Sequence, residues 1–247
     1  MIPQHIKVTG ILNLTPDSFS DGGKYTTIEA AIEQAKKLVA EGADIIDVGG
    51  ESSRPGAKLV SLEEELNRVL PTVKRLRELS VPISIDTYKP EVAEACLQEG
   101  VSIVNDISGL RNPVMMDVIG KYNVPVIIMH MPGTPQTMQQ YVYSGDIVME
   151  VKEYLRTRIE EAHARGITRI IVDPGLGFGK NPEQNYEILL RLEEFKELNC
   201  PILIGPSRKS FQGERKLNTL EAIVLGVKNG ADIVRVHDVA AVKRYLT

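Results

Sequence analysis

The sequence predicts a single-domain α/β fold, a (β/α)₈ or TIM barrel, and three observations support it. One unit occurs eight times: a short apolar run rich in Val and Ile, a polar turn, and an amphipathic helical stretch. Such nearly continuous apolar runs are typical of parallel strands that are covered on their outer face. Eight units in 247 residues match the usual size of this barrel, and no linker or break in composition divides residues 1–247.

Each repeat predicts one strand and one helix. The strands are predicted at residues 6–14, 44–50, 82–87, 102–107, 125–131, 169–175, 201–207 and 232–238. The first helical stretch has apolar residues at helical spacing, namely Ile28, Ala31, Ile32, Ala35, Leu38 and Val39. Ser61 and Glu64 stand at capping-box spacing before the second helix. Glycines in EGAD, QEGVS, ARGIT and KNGAD predict helix ends that require a left-handed residue.

An open doubly wound sheet is the alternative fold, and the glycine pattern disfavours it. No G-x-G-x-x-G opens the first helix, and GLGFGK at residues 175–180 has the wrong spacing for a dinucleotide site. The longest irregular segments follow predicted strands, at residues 15–25, 51–60, 132–143 and 208–218. They are therefore expected on the carboxyl-terminal face of the barrel, where such enzymes have their active sites.

Composition excludes several classes of function. The net charge of −4 provides no basic stripe, so nucleic acid is not an expected partner. Cys96 and Cys200 lack metal-like spacing and are expected to be core thiols in a reducing compartment. The first residues lack a signal-peptide pattern, and no apolar run approaches the ~18 residues of a membrane span. We expect a cytoplasmic protein that does not bind membranes.

Every predicted strand ends in, or just before, a polar or charged side chain. These residues are Asn13, Asp47, Glu51, Asp86, Asn105, Asp106, His130, Asp173, Lys209, Arg235, His237 and Asp238. Taken singly, each is more often a helix cap, a turn residue or a satisfied core residue. In a barrel they would converge on one mouth, and burying so many polar groups is costly unless a polar ligand satisfies them. The pattern therefore predicts a ligand site there.

The residue types indicate two subsites. One set offers donors and acceptors to a flat heterocycle with ring nitrogens and an amino group: Asp86, Asn105, Asp173 and Lys209. A second set is basic and suits phosphate oxygens: Arg54, Arg235 and His237, with Asn13 nearby. Asn13 is a candidate Mg²⁺ ligand, because Mg²⁺ takes few protein oxygens and completes its shell with water and phosphate. The chemistry implied is displacement of a phosphate-type leaving group beside a heterocycle.

Eight motifs occur in an order that resembles the dihydropteroate synthase family. They are GILNLTPDSFSDGG, DVGGESSRPGA, ISIDTYKPEVAEA, IVNDISG, MHMPGTPQTMQ, DPGLGFGK, SRKSF and IVRVHDV, and they touch all eight barrel units. The resemblance implies a folate-biosynthesis transferase and sulfonamide target, expected to be a homodimer. Its reaction joins 6-hydroxymethyl-7,8-dihydropterin pyrophosphate to p-aminobenzoate and gives 7,8-dihydropteroate and pyrophosphate.

The resemblance also implies roles for individual residues. The pterin site would comprise Asp86, Asn105, Asp173 and Lys209, and the pyrophosphate site would comprise Asn13, Ser53, Arg54, Arg235 and His237, with Mg²⁺ at Asn13. The p-aminobenzoate site would comprise Phe19, Pro55, Phe178, Lys209 and Ser210. This chain departs from the family in having Ser53 where Thr is more common, and a shorter segment after SRKSF.

The residues also favour one mechanism. No enzyme nucleophile is needed if pyrophosphate leaves first, in a Mg²⁺-assisted dissociative step that forms a delocalised cation. The candidate catalytic residues are Asp21, Lys209, Arg235 and His237. Within residues 10–23, Asn13 is expected to be a fixed ligand, followed by a lid that carries Phe19 and Asp21.

Two alternatives make different demands on the sequence. A pterin-dependent methyltransferase domain should lack a loop like residues 15–23 and the SRKS lysine, and both are present. A catalytically silent binding paralogue should lose the aspartates of the first loop or the Arg and His of the last strand, and all of these are retained. Both features favour the synthase.

Overall fold

The computed structural model describes residues 6–15, 28–54, 56–141, 143, 145–206 and 217–246. Strands and helices alternate along this part of the chain. The strands are β1 (Lys7–Asn13), β2 (Ile45–Gly49), β3 (Ile83–Asp86), β4 (Ile103–Asp106), β5 (Val126–Met129), β6 (Ile170–Asp173), β7 (Leu203–Ile204) and β8 (Ile233–Val236). The helices are α1 (Ile28–Ala40), α2 (Leu62–Leu76), α3 (Pro90–Gln98), α4 (Pro113–Tyr122), α5 (Ile147–Ala164), α6 (Pro182–Leu190), α7 (Thr219–Lys228) and α8 (Val239–Leu246).

The strands form one parallel sheet that closes on itself. Their order is β6-β5-β4-β3-β2-β1-β8-β7, and each pair of neighbours is parallel. An isolated parallel bridge between Val172 and Ile202 joins the two ends of this order. The prediction of a TIM barrel is confirmed. All eight strands lie inside their predicted ranges, although each is shorter, and β7 has only two residues.

The barrel interior has an apolar floor and a polar layer above it. The floor is a cluster of aliphatic side chains, Ile45, Ile103, Ile127, Ile171, Leu203 and Ile233, separate from the main core between strands and helices. Side chains in a strand alternate between faces, so residues two positions later face the same interior. For five of these strands those residues are Asp47, Asn105, Met129, Asp173 and Arg235. The period of two thus carries polar groups to the carboxyl ends of the strands.

The predicted helix signals are present. Ser61 precedes α2, and its side-chain oxygen accepts a hydrogen bond from the Glu64 N–H at 3.1 Å. The glycines of the four predicted helix ends all have positive φ, between 77° and 108°. Ile28 departs from the expected apolar stripe, because it begins α1 and is 37% exposed. The segment 132–143 contains a 3₁₀ helix, Met138–Gln140.

Both cysteines are free thiols. Cys96 is buried and Cys200 is half-buried. Within the described ranges, no helix is both long and apolar enough to cross a membrane.

Candidate active site

Arg235 of β8 links the polar layer. Its Nε donates to Asp47 Oδ2 at 2.5 Å, and its Nη2 donates to Asp86 Oδ2 at 2.6 Å. The same Asp47 oxygen accepts from Asn105 Nδ2 at 3.1 Å. Residues from β2, β3, β4 and β8 therefore form one hydrogen-bonded group across the barrel. The structure brings Asp86, Asn105 and Arg235 together, as the sequence predicts.

Burial and neighbouring charges set the protonation of this group. The pKa of Asp86 is raised to about 7, mainly by burial and also by the charges of Asp47, Glu65 and Asp106, while the charge of Arg235 opposes the shift. Burial alone would lower the pKa of Arg235, but Asp47 and Asp86 outweigh it and raise that pKa. The guanidinium remains charged, and Asp86 is the carboxyl group that titrates near neutral pH.

Asn13 and His237 meet beside this group, because β1 lies between β2 and β8 in the sheet. Asn13 ends β1, and its Nδ2 lies 3.4 Å from His237 Nε2, just beyond β8. Both side chains are half-buried. Ser53 is half-buried and Arg54 is exposed in the segment after β2, so the structure brings Asn13 and His237 together and leaves the Arg54 side chain at the surface.

The donor set at Asn13 fits a magnesium ion. With its amide nitrogen near His237, Asn13 offers a hard amide oxygen, and one such protein ligand is enough where phosphate and water complete the shell. Across the described part of the chain, no group of three or more His, Cys, Asp or Glu residues is arranged to hold a metal.

Asp173 is fixed by the turn that follows β6. It is buried, and its Oδ1 accepts from the Gly175 N–H at 2.7 Å. Gly175 has φ +70°, and a Cβ there would clash with the His130 carbonyl oxygen. The turn requires glycine for both reasons. Asp173 thus faces the mouth on a tightly constrained backbone.

Lys180 is a buried residue whose role the sequence reasoning missed. Its Nζ donates to the carbonyl oxygens of Gly175 (2.9 Å) and Phe178 (3.1 Å), and lies 2.9 Å from His130 Nδ1. Burial and then the Lys180 charge hold the pKa of His130 well below its usual range, so the imidazole is neutral and accepts at Nδ1. The signal available in the sequence was a lysine directly after a glycine-rich turn at a strand end.

The hydrogen bond from Lys180 to the Phe178 carbonyl oxygen positions Phe178 beside the mouth of the barrel. Phe178 is buried in an apolar cluster with Ile107, Met129, Met131 and Met138.

Two other strand-end residues, Asp106 and Asp238, stabilise the fold instead. Asp106 accepts from the N–H groups of Ser108 and Leu110, and Asp238 accepts from the Ala241 N–H in the first turn of α8. Their ordinary interpretation as turn and cap residues is correct.

Five of the predicted site residues lie outside the part of the chain that the structure describes. They are Phe19, Asp21, Pro55, Lys209 and Ser210. Their assignments to the lid, the p-aminobenzoate site and the pterin site stay predictions.

A closed parallel barrel with polar and charged side chains at its mouth is the architecture of TIM-barrel enzymes, which have their active sites at this face. The "Pterin binding enzyme" family matches residues 9–237, so the chain belongs to that family. A dihydropteroate synthase from Synechocystis is 48% identical over 95% of this chain and 86% of its own length. The chain belongs to the dihydropteroate synthase family, transferases of folate biosynthesis.

Solved structures agree with this membership. Xanthomonas albilineans dihydropteroate synthase with 4-aminobenzoic acid has a TM-score of 0.91 at 44% identity, covering 98% of this chain and 91% of the other. The same enzyme in complex with 7,8-dihydropteroate has a TM-score of 0.87 at 41% identity, with the same two coverages. The fold and the family predicted from the sequence are confirmed.

Proposed function

We propose that this protein condenses 6-hydroxymethyl-7,8-dihydropterin pyrophosphate with p-aminobenzoate, giving 7,8-dihydropteroate and pyrophosphate. The observation that carries the proposal is the hydrogen-bonded group of Arg235, Asp47, Asp86 and Asn105 at the mouth of a barrel of this family. Such a group offers acceptors, amide donors and a permanent positive charge within one small space. A pterin ring with a pyrophosphate arm has the complementary donors, acceptors and negative charge.

The pterin ring is assigned to the deeper residues. Asp86 and Asp173 would accept hydrogen bonds from the amino and ring N–H groups, and Asn105 and Lys209 would meet the remaining ring atoms. The position of Asn105 and Asp173 supports this assignment, because both are buried at the carboxyl ends of their strands, above the aliphatic floor. The ring would therefore lie above the aliphatic floor of the barrel.

The pyrophosphate arm is assigned to the basic side of the mouth. The residues are Asn13, Ser53, Arg54, Arg235 and His237. A guanidinium has five N–H donors, so Arg235 can serve two carboxylates and a phosphate together. Asn13 would hold Mg²⁺ through its amide oxygen, and the ion, when bound, would neutralise charge on the departing pyrophosphate.

The second substrate would lie against the loops. Phe19, Pro55, Phe178 and Ser210 would form the p-aminobenzoate site, and burial of Phe178 among methionines supports an apolar wall there. A sulfonamide would compete for the same position. Pro55 and the two residues on the lid and the SRKSF segment are assigned by family resemblance alone.

The proposed route begins with loss of the leaving group. The methylene C–O bond breaks, pyrophosphate leaves with the electron pair, the amine nitrogen attacks the cation, and its proton passes to solvent. Arg235, His237 and Lys209 stabilise the leaving charge, and Asp21 faces the cation. Cys96 is no candidate nucleophile, because burial in the core raises the pKa of its thiol to about 12. A tight, associative transition state in isotope effects at the methylene would contradict this route.

Assembly and location complete the proposal. The protein is a homodimer in the cytoplasm, with residues 1–247 forming one domain and small-molecule substrates as its partners. Family resemblance supports the dimer and the location.

A pyrophosphate-release assay tests the function. Purified protein is given the pterin pyrophosphate and Mg²⁺, with and without p-aminobenzoate, and the products are identified by mass spectrometry. We expect pyrophosphate and 7,8-dihydropteroate in equal amounts, both dependent on the amine. Release that is independent of the amine, with no pteroate, would overturn the proposal. Methyl transfer from methyltetrahydrofolate would favour the methyltransferase alternative, and ligand binding without turnover would favour the silent paralogue.

A further inference from the structure

Three charged side chains from three elements meet behind the loop that follows β2. Lys89, the residue before α3, donates through Nζ to Glu65 of α2 at 2.5 Å and also to Glu51. The side chains of Glu65, Glu51 and Lys89 are 1%, 9% and 16% exposed. Charges buried this deeply are costly unless they are paired, so this is a specific arrangement.

The cluster fixes both ends of segment 51–60. Glu51 begins the segment, and its Oε1 accepts from the Val60 N–H at 3.2 Å. The Tyr88 hydroxyl lies 3.1 Å from both carboxylate oxygens of Glu51. Lys89 and Tyr88 therefore connect the two ends of the segment to the chain that leaves β3, the strand that carries Asp86.

The charge on Lys89 persists under assay conditions. Burial alone would lower the pKa of Lys89, but hydrogen bonds to Glu51 and Glu65 outweigh it and raise that pKa. The contact between the ammonium group and the two carboxylates therefore lasts through the neutral range.

Segment 51–60 carries two residues of the proposed pyrophosphate site, Ser53 and Arg54. A small cavity beneath the segment is lined by Glu51, Ser53, Glu65, Asp86 and Tyr88. The charged cluster and Asp86, the carboxylate of the proposed pterin site, therefore face the same cavity. On its far side the segment contacts the loop after β5 through two hydrogen bonds. The Gly56 N–H donates to the Pro135 carbonyl oxygen at 3.2 Å, and Gln136 Nε2 donates to the Ala57 carbonyl oxygen at 3.0 Å.

We propose that Lys89 is a positioning residue: acting through Glu51, it sets where Ser53 and Arg54 meet the pyrophosphate group relative to Asp86. This inference rests on the proposed function. Without the ammonium group, two buried carboxylates would repel each other, and segment 51–60 would have to be ordered when substrate binds. That ordering weakens binding of the phosphate arm and not of the ring.

The test compares two ligands that differ only in the pyrophosphate. The Kd of 6-hydroxymethyl-7,8-dihydropterin pyrophosphate and the Kd of the corresponding alcohol are measured by calorimetry on the full chain. For Lys89→Met we expect the first Kd to rise about tenfold or more and the second to stay within about twofold. Lys89→Arg should restore most of the difference, because it keeps the charge and the donors.

Lys58→Met is the matched control, since it removes one exposed positive charge from the same segment. We expect it to leave both Kd values within about twofold. If Lys58→Met raised the Kd of the pyrophosphate ligand as much as Lys89→Met does, net charge near the mouth would be responsible, and the proposal would be overturned. An equal rise for both ligands in Lys89→Met would also overturn it.

Tyr88→Phe keeps the inference testable if Lys89→Met does not fold, because it removes one hydroxyl contact to Glu51 and leaves all three charges. We expect a selective rise of about two- to fivefold in the Kd of the pyrophosphate ligand. An unchanged ratio of the two Kd values would overturn the inference. Failure of the wild-type protein to form dihydropteroate would instead overturn the proposed function, and the binding comparison could still be read.

Discussion

Asp86 forms an ion pair with Arg235, which also binds Asp47, and this environment predicts how stability depends on pH. Its pKa is about 7 in the folded protein, against an ordinary value of 3.8. Between these values the folded state holds a proton that the unfolded chain has lost. The contribution of Asp86 to stability is therefore fully present below pH 4 and is lost as pH rises through about 7.

We expect this to appear in urea denaturation of the ligand-free protein between pH 4 and 7. Asp86 contributes a fall of at most about 1.4 kcal/mol per pH unit to the free energy of unfolding. Asp86→Asn should lack this component. Asp47→Asn should move it to lower pH, because the charge of Asp47 raises the pKa of Asp86. An identical pH profile in the wild type and Asp86→Asn would contradict the assignment.

Asn13 provides the test of the proposed metal position. Asn13→Ala removes the amide oxygen, and we expect the Kd of the pterin pyrophosphate in Mg²⁺ to rise about 10- to 100-fold. The Kd of the pterin alcohol, which has no phosphate, should be unchanged. Asn13→Asp keeps an oxygen ligand and should retain Mg²⁺-dependent binding. Equal loss of both ligands in Asn13→Ala would place Asn13 in the ring site instead.

At the scale of elements, the turn after β6 couples backbone conformation to the pterin site. Gly175→Ala adds a Cβ against the His130 carbonyl oxygen at a positive φ. We expect the free energy of unfolding to fall by about 3 kcal/mol or more. Pterin affinity should fall as well, because the Gly175 N–H orients Asp173. Both effects are measured on one preparation, by urea denaturation and by calorimetry.

Gly166 is the matched control for this change. It also has positive φ, +77°, but a Cβ there would meet nothing within 4 Å. Gly166→Ala should lower the free energy of unfolding by only about 1 kcal/mol, the cost of the left-handed conformation, and should bind pterin normally. Equal losses at the two glycines would show that the close approach to His130 has no consequence.

The strands and caps were predictable because they depend on local periods and single residues. Runs of Val and Ile specify β1 to β6 and β8, and Ser61 and the terminal glycines specify helix boundaries. The short β7 was predicted too long because PILIGPS is apolar beyond the two residues that form the strand. Contacts between distant segments, such as Lys180 with His130 and Lys89 with Glu65, depend on how helices pack around the barrel. A glycine-rich turn marks the position of Lys180, but no local pattern in one sequence identifies the partner of either lysine.

At the scale of the whole molecule, the barrel separates stability from binding along its axis. Ile127 in the floor is 2% exposed, and Asn105 in the polar layer is its register partner on β4. The two residues therefore allow a direct comparison of floor and mouth. The convergence of polar residues at strand ends was predictable from topology, because parallel strands place all their carboxyl ends at one face.

Ile127→Ala should lower the free energy of unfolding by about 2–4 kcal/mol, because it opens a cavity among aliphatic side chains. The Kd for the pterin should stay within about twofold. Asn105→Ala should instead weaken pterin binding by about tenfold, through loss of its amide. Denaturation and calorimetry on the two variants measure both quantities. If Ile127→Ala weakened pterin binding as much as Asn105→Ala does, the separation of a stabilising floor from a binding layer would be contradicted.

A crystal structure of the protein with 7,8-dihydropteroate would show whether the polar layer of the barrel holds the pterin ring. We expect the ring above the aliphatic floor, with ring donors about 3 Å from the carboxylates of Asp86 and Asp173 and a contact to the Asn105 amide. The p-aminobenzoate arm should extend toward Phe178. A pterin ring bound away from these three side chains, with the contacts of Arg235 to Asp47 and Asp86 unchanged, would contradict this expectation.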